Sequence, residues 1–168
     1  MKARFRLVLL AAAIALAACS PSPETAAGSG RSAEGPIGPK NPFFGQWQLT
    51  HAQVAPWWDS KGEEPIADPA LTTITFEPGK SSGPPIVSCD QPQYSVSLVT
   101  PPGLFEGNLA DAFAQARMLG FLDKDITVMS LSCESGGADV SLHFPMLNDN
   151  TIMLGLDNVI YTFTRTPD

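Results

Sequence analysis

The stretch TIMLGLDNVIYTFTR, residues 151–165, decides the fold. Apolar side chains recur at every second position on both sides of Asp157-Asn158, which is the period of a strand with one buried face. Asn and Asp tolerate positive φ and bond their own backbone, so this pair is typical of a turn. The stretch therefore predicts a β-hairpin made of residues 151–156 and 159–165.

The same alternation recurs towards the amino terminus. The turn sequence LNDN at residues 147–150 extends the hairpin into a three-stranded meander. In all, seven runs predict a mainly β fold, either a small antiparallel β-barrel or a strongly curled sheet of seven to eight strands. The five further runs lie at residues 45–54, 72–77, 94–99, 126–133 and 139–144.

One short helix interrupts the predicted strands. Asn108 is the predicted amino-terminal cap, and Gly120 ends the helix. Because only one face is apolar, we expect this helix to pack across an open end or flank of the sheet, where it would cover a barrel mouth or an exposed strand edge. The apolar residues at helical spacing are Leu109, Ala112, Phe113 and Ala116.

The first twenty residues have the order of an export signal. Three basic side chains precede an apolar run at residues 7–16, and Leu-Ala-Ala-Cys then ends at Cys19. This tetrapeptide resembles the lipobox of bacterial lipoproteins, which implies removal of residues 1–18 and acylation of Cys19. Ser20 resembles the serine that permits transfer to the outer membrane. The alternative is an ordinary cleaved signal in which the cysteine occurs by chance.

The resemblance implies an outer-membrane lipoprotein whose folded part faces the periplasm. The apolar run is shorter than the roughly twenty residues that a helix needs to cross a bilayer, so the predicted membrane attachment is the lipid on Cys19. Residues 19–42 are rich in Pro, Ser and Gly and predict a flexible tether. Residues 43–168 are long enough for one core and form the predicted β domain.

The charge balance restricts the partners. The chain has a net charge of −7, and removal of residues 1–18 leaves seven basic against seventeen acidic side chains. An acidic surface repels phosphate backbones, so we predict no binding to nucleic acid. A basic protein partner is compatible with this charge.

Two cysteines remain besides Cys19. In an oxidising compartment, Cys89 and Cys133 predict one disulfide. The alternatives are a reactive thiol or a metal-binding pair, but Asp90 and Glu134 follow the two cysteines and give neither the basic surroundings that activate a thiol.

Two family resemblances are carried by the ends of the domain. Gly45 and Trp47 open the first strand and Arg165 closes the last, which resembles lipocalins and other calycins and implies that Trp47 and Arg165 stack to close a barrel floor. Adding TITFEPGK at residues 73–80, with Cys89, the pattern over residues 43–165 is similar to META/HslJ-like bacterial envelope lipoproteins. That resemblance implies a small β domain associated with envelope upkeep and no defined chemistry.

The candidate binding residues follow the first strand. Trp57 and Trp58 are adjacent, so one indole can fill the barrel while the other stays at its rim for a ligand or partner; the alternative is that both plug one end. His51 shares a predicted strand face with Trp47, either as a half-buried histidine or as part of a cavity lining. His143 points to solvent if its two neighbours point inward.

We predict no enzyme, metal or cofactor. The chain lacks a Gly-x-Ser-x-Gly motif, and its two histidines are isolated from other ligand residues. Three functions remain open: a module that binds a small apolar molecule or an envelope component, an inhibitor of an envelope or secreted hydrolase such as a lysozyme or protease, and a structural lipoprotein. An internal cavity would favour the first, an exposed aromatic rim on a filled barrel the second, and buried tryptophans the third.

Overall fold

The computed structural model describes residues 41–59, 65–135 and 138–167. The predicted signal peptide, the lipidation site Cys19 and nearly all of the predicted tether lie outside these residues. Asn41 was predicted to lie near the end of the tether. It is instead buried together with Phe43. The Asn41 carboxamide accepts a hydrogen bond from the Phe43 backbone N–H at 3.0 Å.

The fold is a single strongly curled, antiparallel sheet of nine strands that forms a half-barrel. The spatial order of the strands is β4-β3-β2-β1-β9-β8-β7-β6-β5, so β4 and β5 are the two edges. The strands are β1 Gly45–Val54, β2 Thr73–Glu77, β3 Lys80–Ser82, β4 Cys89–Asp90, β5 Gln93–Val99, β6 Ile126–Ser135, β7 Ala138–Asn148, β8 Thr151–Leu156 and β9 Val159–Arg165.

The mainly β prediction is confirmed, and all seven predicted runs are strands. β1, β8 and β9 have the predicted bounds, and the β8–β9 turn places Asp157 at φ 52°. The described residues form nine strands, two more than the seven predicted runs, and the two additional strands are β3 and β4. These two strands have three and two residues, which is too short for an alternating pattern to be visible.

The helical segment lies between β5 and β6. A 3-10 segment at Pro101–Gly107 is followed by α1, Ala112–Met118. The prediction of Asn108 as the amino-terminal cap is wrong. The cap is Asp111, whose side chain accepts the Ala114 backbone N–H at 3.2 Å. Asn108 instead ends the preceding 3-10 segment. Phe113 was expected on the packed face but is 59% exposed.

The sheet carries a buried cluster on each face. The inner face, enclosed by the curl, is filled by large side chains that include Trp47, Phe76, Phe144 and Phe163. The outer face is covered by the segment between β5 and β6, whose Leu104, Phe105 and Ala116 pack with sheet residues such as Ile160. These contacts lie on the face of the sheet rather than at the barrel mouth or strand edge that the helix was expected to cover.

Two contacts join the ends of the curled sheet. A disulfide connects Cys89 on β4 with Cys133 on β6, with their Cα atoms 6.0 Å apart, which is an ordinary separation for this bond. The Tyr94 hydroxyl on β5 donates to the Lys80 carbonyl on β3 at 3.1 Å. The predicted disulfide thus links one edge strand to the strand beside the other edge.

A β-bulge at Thr50 corrects the prediction for His51. Leu49 pairs with Phe163 and His51 pairs with Thr162, so Thr50 is the extra residue on β1. Because a bulge shifts the alternation by one residue, His51 leaves the face of Trp47 and is exposed. His51 is therefore not half-buried.

Candidate functional site

The position of Trp57 is set by the turn that ends β1. The Ala55 backbone N–H donates to the Asn158 carbonyl at 2.9 Å, and the Trp58 N–H donates to the Ala55 carbonyl at 3.0 Å. This turn directs Trp57 towards the β8–β9 hairpin, where its indole N–H donates to the Asp157 carbonyl at 3.0 Å. The hydrogen bond fixes the ring at the outer face of the sheet.

Phe105 forms the second aromatic wall. Its ring lies 5.4 Å from that of Trp57, with a tilt of 42°, and 6.4 Å from that of Phe121. Phe105, Glu106 and Gly107 have φ values of 47°, 59° and 80°, which is a left-handed conformation that costs a non-glycine residue about 1–3 kcal/mol. The turn buries the Phe105 ring and leaves the Glu106 carboxylate exposed.

Gly155 on β8 provides the space beneath the two rings. A Cβ atom at this position would lie 2.8 Å from Phe105 Cδ1 and 3.2 Å from Trp57 Cη2. The first distance is shorter than a van der Waals contact allows, so any other residue would displace an aromatic ring. Glycine is therefore required here by the packing of Trp57 and Phe105.

These elements enclose a cavity of about 260 Å³ on the outer face, which we call the Trp57 groove. Its lining includes two aromatic residues, two acidic residues and a histidine. The groove is lined by Trp57, Phe105, Glu106, Asn108, Ser141, Leu142, His143, Gly155, Leu156 and Asp157.

His143 connects the groove to two further polar groups. Leu142 and Phe144 are buried, so His143 takes the opposite face of β7, as expected, and is 37% exposed. Its Nδ1 lies 2.9 Å from Ser130 Oγ, and its Nε2 lies 3.7 Å from Glu106 Oε1. Serine, histidine and carboxylate are the side chains of an acyl-transfer triad. Ser130 is not among the residues that line the Trp57 groove, so a ligand there would not meet its hydroxyl.

The other predicted binding residues do not join the groove. His51 is exposed on β1 and Trp58 is half-buried, and neither lines the cavity. The Trp58 indole N–H is buried without a hydrogen-bond acceptor in the part of the chain that the structure describes. The structure therefore divides the predicted tryptophan pair into one groove residue and one packed residue.

Gly45, Trp47 and Arg165 form a separate cluster where β1 begins and β9 ends. Arg165 Cζ lies 4.1 Å from the centroid of the Trp47 ring, and its Nη1 donates to the Phe44 carbonyl at 2.7 Å. Gly45 has a φ of 123°, and a Cβ there would lie 2.9 Å from Arg165 Nη1. The guanidinium is thus held by an indole face and backbone carbonyls over the buried core.

Acidic residues outnumber basic ones in the described part of the chain. The described ranges contain twelve Asp or Glu residues and four Lys or Arg residues, and none of the four lines the groove. Within those ranges, no three His, Cys, Asp or Glu side chains are grouped as a metal site. None of the helices in the described residues has the length and apolarity to cross a bilayer.

Comparison of the chain with protein-family models, with curated proteins and with solved structures finds no match. The lipocalin-like and META/HslJ-like resemblances therefore stay predictions. The sequence identified Trp57 because a pair of adjacent tryptophans after a strand is conspicuous. Phe105, Glu106 and Gly155 were missed, and His143 was predicted only to point to solvent, since no local pattern indicates that these distant segments meet.

Proposed function

We propose that this chain is an outer-membrane lipoprotein whose periplasmic domain binds an envelope component in the Trp57 groove. The observation that carries the proposal is the groove itself. Tryptophan is enriched at binding hot spots, and here its indole forms a wall of a cavity of about 260 Å³. A strained turn holds Glu106 at the same cavity, and strain of this kind is concentrated at ligand-binding sites.

The position of the groove favours a partner over an apolar ligand inside the barrel. The inner face is filled by its own aromatic and aliphatic side chains, whereas the groove opens on the outer face and has polar residues at its rim. Recognition at a rim needs no opening of the core. The proposed envelope component is therefore bound at the surface of the domain.

The membrane attachment in this proposal rests on the sequence. The basic head, the apolar run and Leu-Ala-Ala-Cys precede the folded domain in the order of a lipoprotein signal. The residues between Cys19 and the domain have the composition of a flexible tether, so the groove could sample the space near the membrane.

The adjacent tryptophans provide a matched test of the groove. We expect Trp57→Ala in the full chain to weaken capture of a partner from envelope extract at least about tenfold, because truncation of a tryptophan hot spot costs about 2 kcal/mol or more. Trp58→Ala should retain the same partner, since Trp58 does not line the groove.

The melting temperatures of both variants control for unfolding. The proposal fails if folded Trp57→Ala retains the partner as well as the wild type does. It also fails if the wild type captures no partner from the extract whose binding depends on Trp57. That second result would leave a hydrolase inhibitor and a structural lipoprotein as the remaining functions.

An inhibitor of a basic envelope or secreted hydrolase is a second candidate. The observation that favours it is the excess of acidic residues together with an aromatic side chain at the rim of a filled half-barrel. Such a charge balance accelerates association with a basic partner. The full chain should then inhibit a lysozyme or a protease in proportion to its concentration, and Trp57→Ala should inhibit less.

A further inference from the structure

We propose that the Trp57 groove recognises the guanidinium group of an arginine side chain on a protein partner. This inference rests on the proposed binding function and specifies its chemistry. Three features of the groove support it: an aromatic wall, two acidic residues in its lining, and a turn that places one of them, Glu106, at the groove.

The aromatic wall suits a planar cation. A guanidinium stacks on an indole face, and the contact is worth about 0.5–2 kcal/mol depending on how far it is desolvated. The Trp57 ring is held by its bond to the Asp157 carbonyl and by its contact with Phe105, so it is already oriented before a ligand arrives. Little side-chain entropy would be lost when a cation stacks on it.

The rim supplies the opposite charge. Glu106 and Asp157 line the groove, and the Glu106 side chain is 67% exposed, so a ligand can reach its carboxylate. A carboxylate accepts two parallel hydrogen bonds from a guanidinium, a geometry that an ammonium group cannot match. The basic group that faces Glu106 in the structure is the His143 imidazole, at 3.7 Å.

The backbone around Glu106 preorganises the site. Two consecutive non-glycine residues, Phe105 and Glu106, are held at positive φ. Burial of the Phe105 ring and the bond from the Asn108 N–H to the Phe105 carbonyl at 3.1 Å maintain this turn. The turn therefore places Glu106 at the groove, where its exposed side chain is accessible to a ligand.

The charges favour a guanidinium carried by a protein over a free small cation. The described residues carry an excess of eight acidic side chains. This excess attracts a protein surface with several positive charges more strongly than it attracts a small molecule with one. A volume of about 260 Å³ accommodates one side chain, while the polar rim residues Asn108 and Ser141 can meet the adjoining peptide.

The test is a titration of the full chain, in detergent, with short blocked peptides. The probe is acetyl-Gly-Arg-Gly-amide, and its control is the same peptide with citrulline, which replaces the guanidinium by a neutral group of the same shape. The chain has three tryptophans, so the Trp57 indole N–H resonance can be assigned by its loss in Trp57→Phe. Butylguanidine tests whether a free cation is sufficient.

We expect the arginine peptide to shift the Trp57 resonance and to bind about fivefold to tenfold more tightly than the citrulline peptide. Glu106→Gln should weaken binding of the arginine peptide about threefold to fivefold. Asp123→Asn removes the same charge at an exposed site outside the groove and should leave the affinity unchanged. Butylguanidine should bind more weakly than the peptide.

Equal binding of the arginine and citrulline peptides, or no shift with either, would overturn the guanidinium inference. Equal losses in Glu106→Gln and Asp123→Asn would do the same, because the effect would then come from net charge alone. If butylguanidine bound more tightly than the arginine peptide, the ligand would be a small cation and the inference of a protein partner would be wrong. The proposed binding function would survive each of these results if partner capture still depended on Trp57.

Discussion

Tyr94 lies on the edge strand β5 and reaches across to the other end of the sheet. Its hydroxyl donates to the Lys80 carbonyl on β3 at 3.1 Å, and its ring meets those of Phe44 and Phe76 edge-on at 5.4 and 6.1 Å. Burial raises the pKa of Tyr94 to about 12. The neutral phenol is therefore favoured by the fold.

The raised pKa of Tyr94 predicts a loss of stability in alkali. The unfolded chain ionises Tyr94 near pH 10, whereas the folded chain resists ionisation up to about pH 12. Its contribution is thus complete below pH 10 and is lost as the pH rises through this window. We expect the free energy of unfolding of the wild type to fall there more steeply than that of Tyr94→Phe. Parallel pH profiles in urea denaturation would refute this role.

The sequence identified some individual residues and not others, for physical reasons. The lipocalin-like resemblance implied that Trp47 and Arg165 stack, and the structure brings them into contact. His51 was misplaced because the bulge at Thr50 depends on the pairing of β1 with β9. Glu106 was missed because a polar residue followed by a glycine does not by itself indicate a left-handed turn.

The strands could be predicted where turn residues bound a clear alternation. β8 and β9 are examples, because Asp157-Asn158 separates two apolar runs. The edge strands β3 and β4 are determined by pairing rather than by their own residues, and β4 has only two. The groove depends on the meeting of four segments distant in sequence, which a local pattern cannot indicate.

The disulfide between β4 and β6 predicts a measurable effect on stability. The two cysteines are separated by 44 positions, and closing such a loop stabilises the fold by about 4 kcal/mol in the chain-entropy model. We expect Cys89→Ser/Cys133→Ser to lower the free energy of unfolding by about that amount in urea denaturation. Reductant should destabilise the wild type and leave the double variant unchanged. Equal stabilities of the two proteins without reductant would contradict the bridge.

On the scale of the whole molecule, we propose that a lipid on Cys19 anchors the folded half-barrel to the outer membrane. The described domain provides the groove, and its excess of acidic residues favours a basic partner. In this proposal the amino-terminal sequence directs the chain to the membrane. If the anchor is absent, the groove could still bind a partner, but not as part of an outer-membrane lipoprotein.

Mass spectrometry of the full chain, extracted from the membranes of a bacterium that expresses it, tests this account most directly. We predict a mature chain that begins at Cys19 and carries a thioether-linked diacylglycerol and an acyl group on its amine. Cys19→Ser should abolish both the modification and the cleavage. A wild-type chain that still begins at Met1, or a cleaved chain without lipid on Cys19, would contradict the proposed anchor.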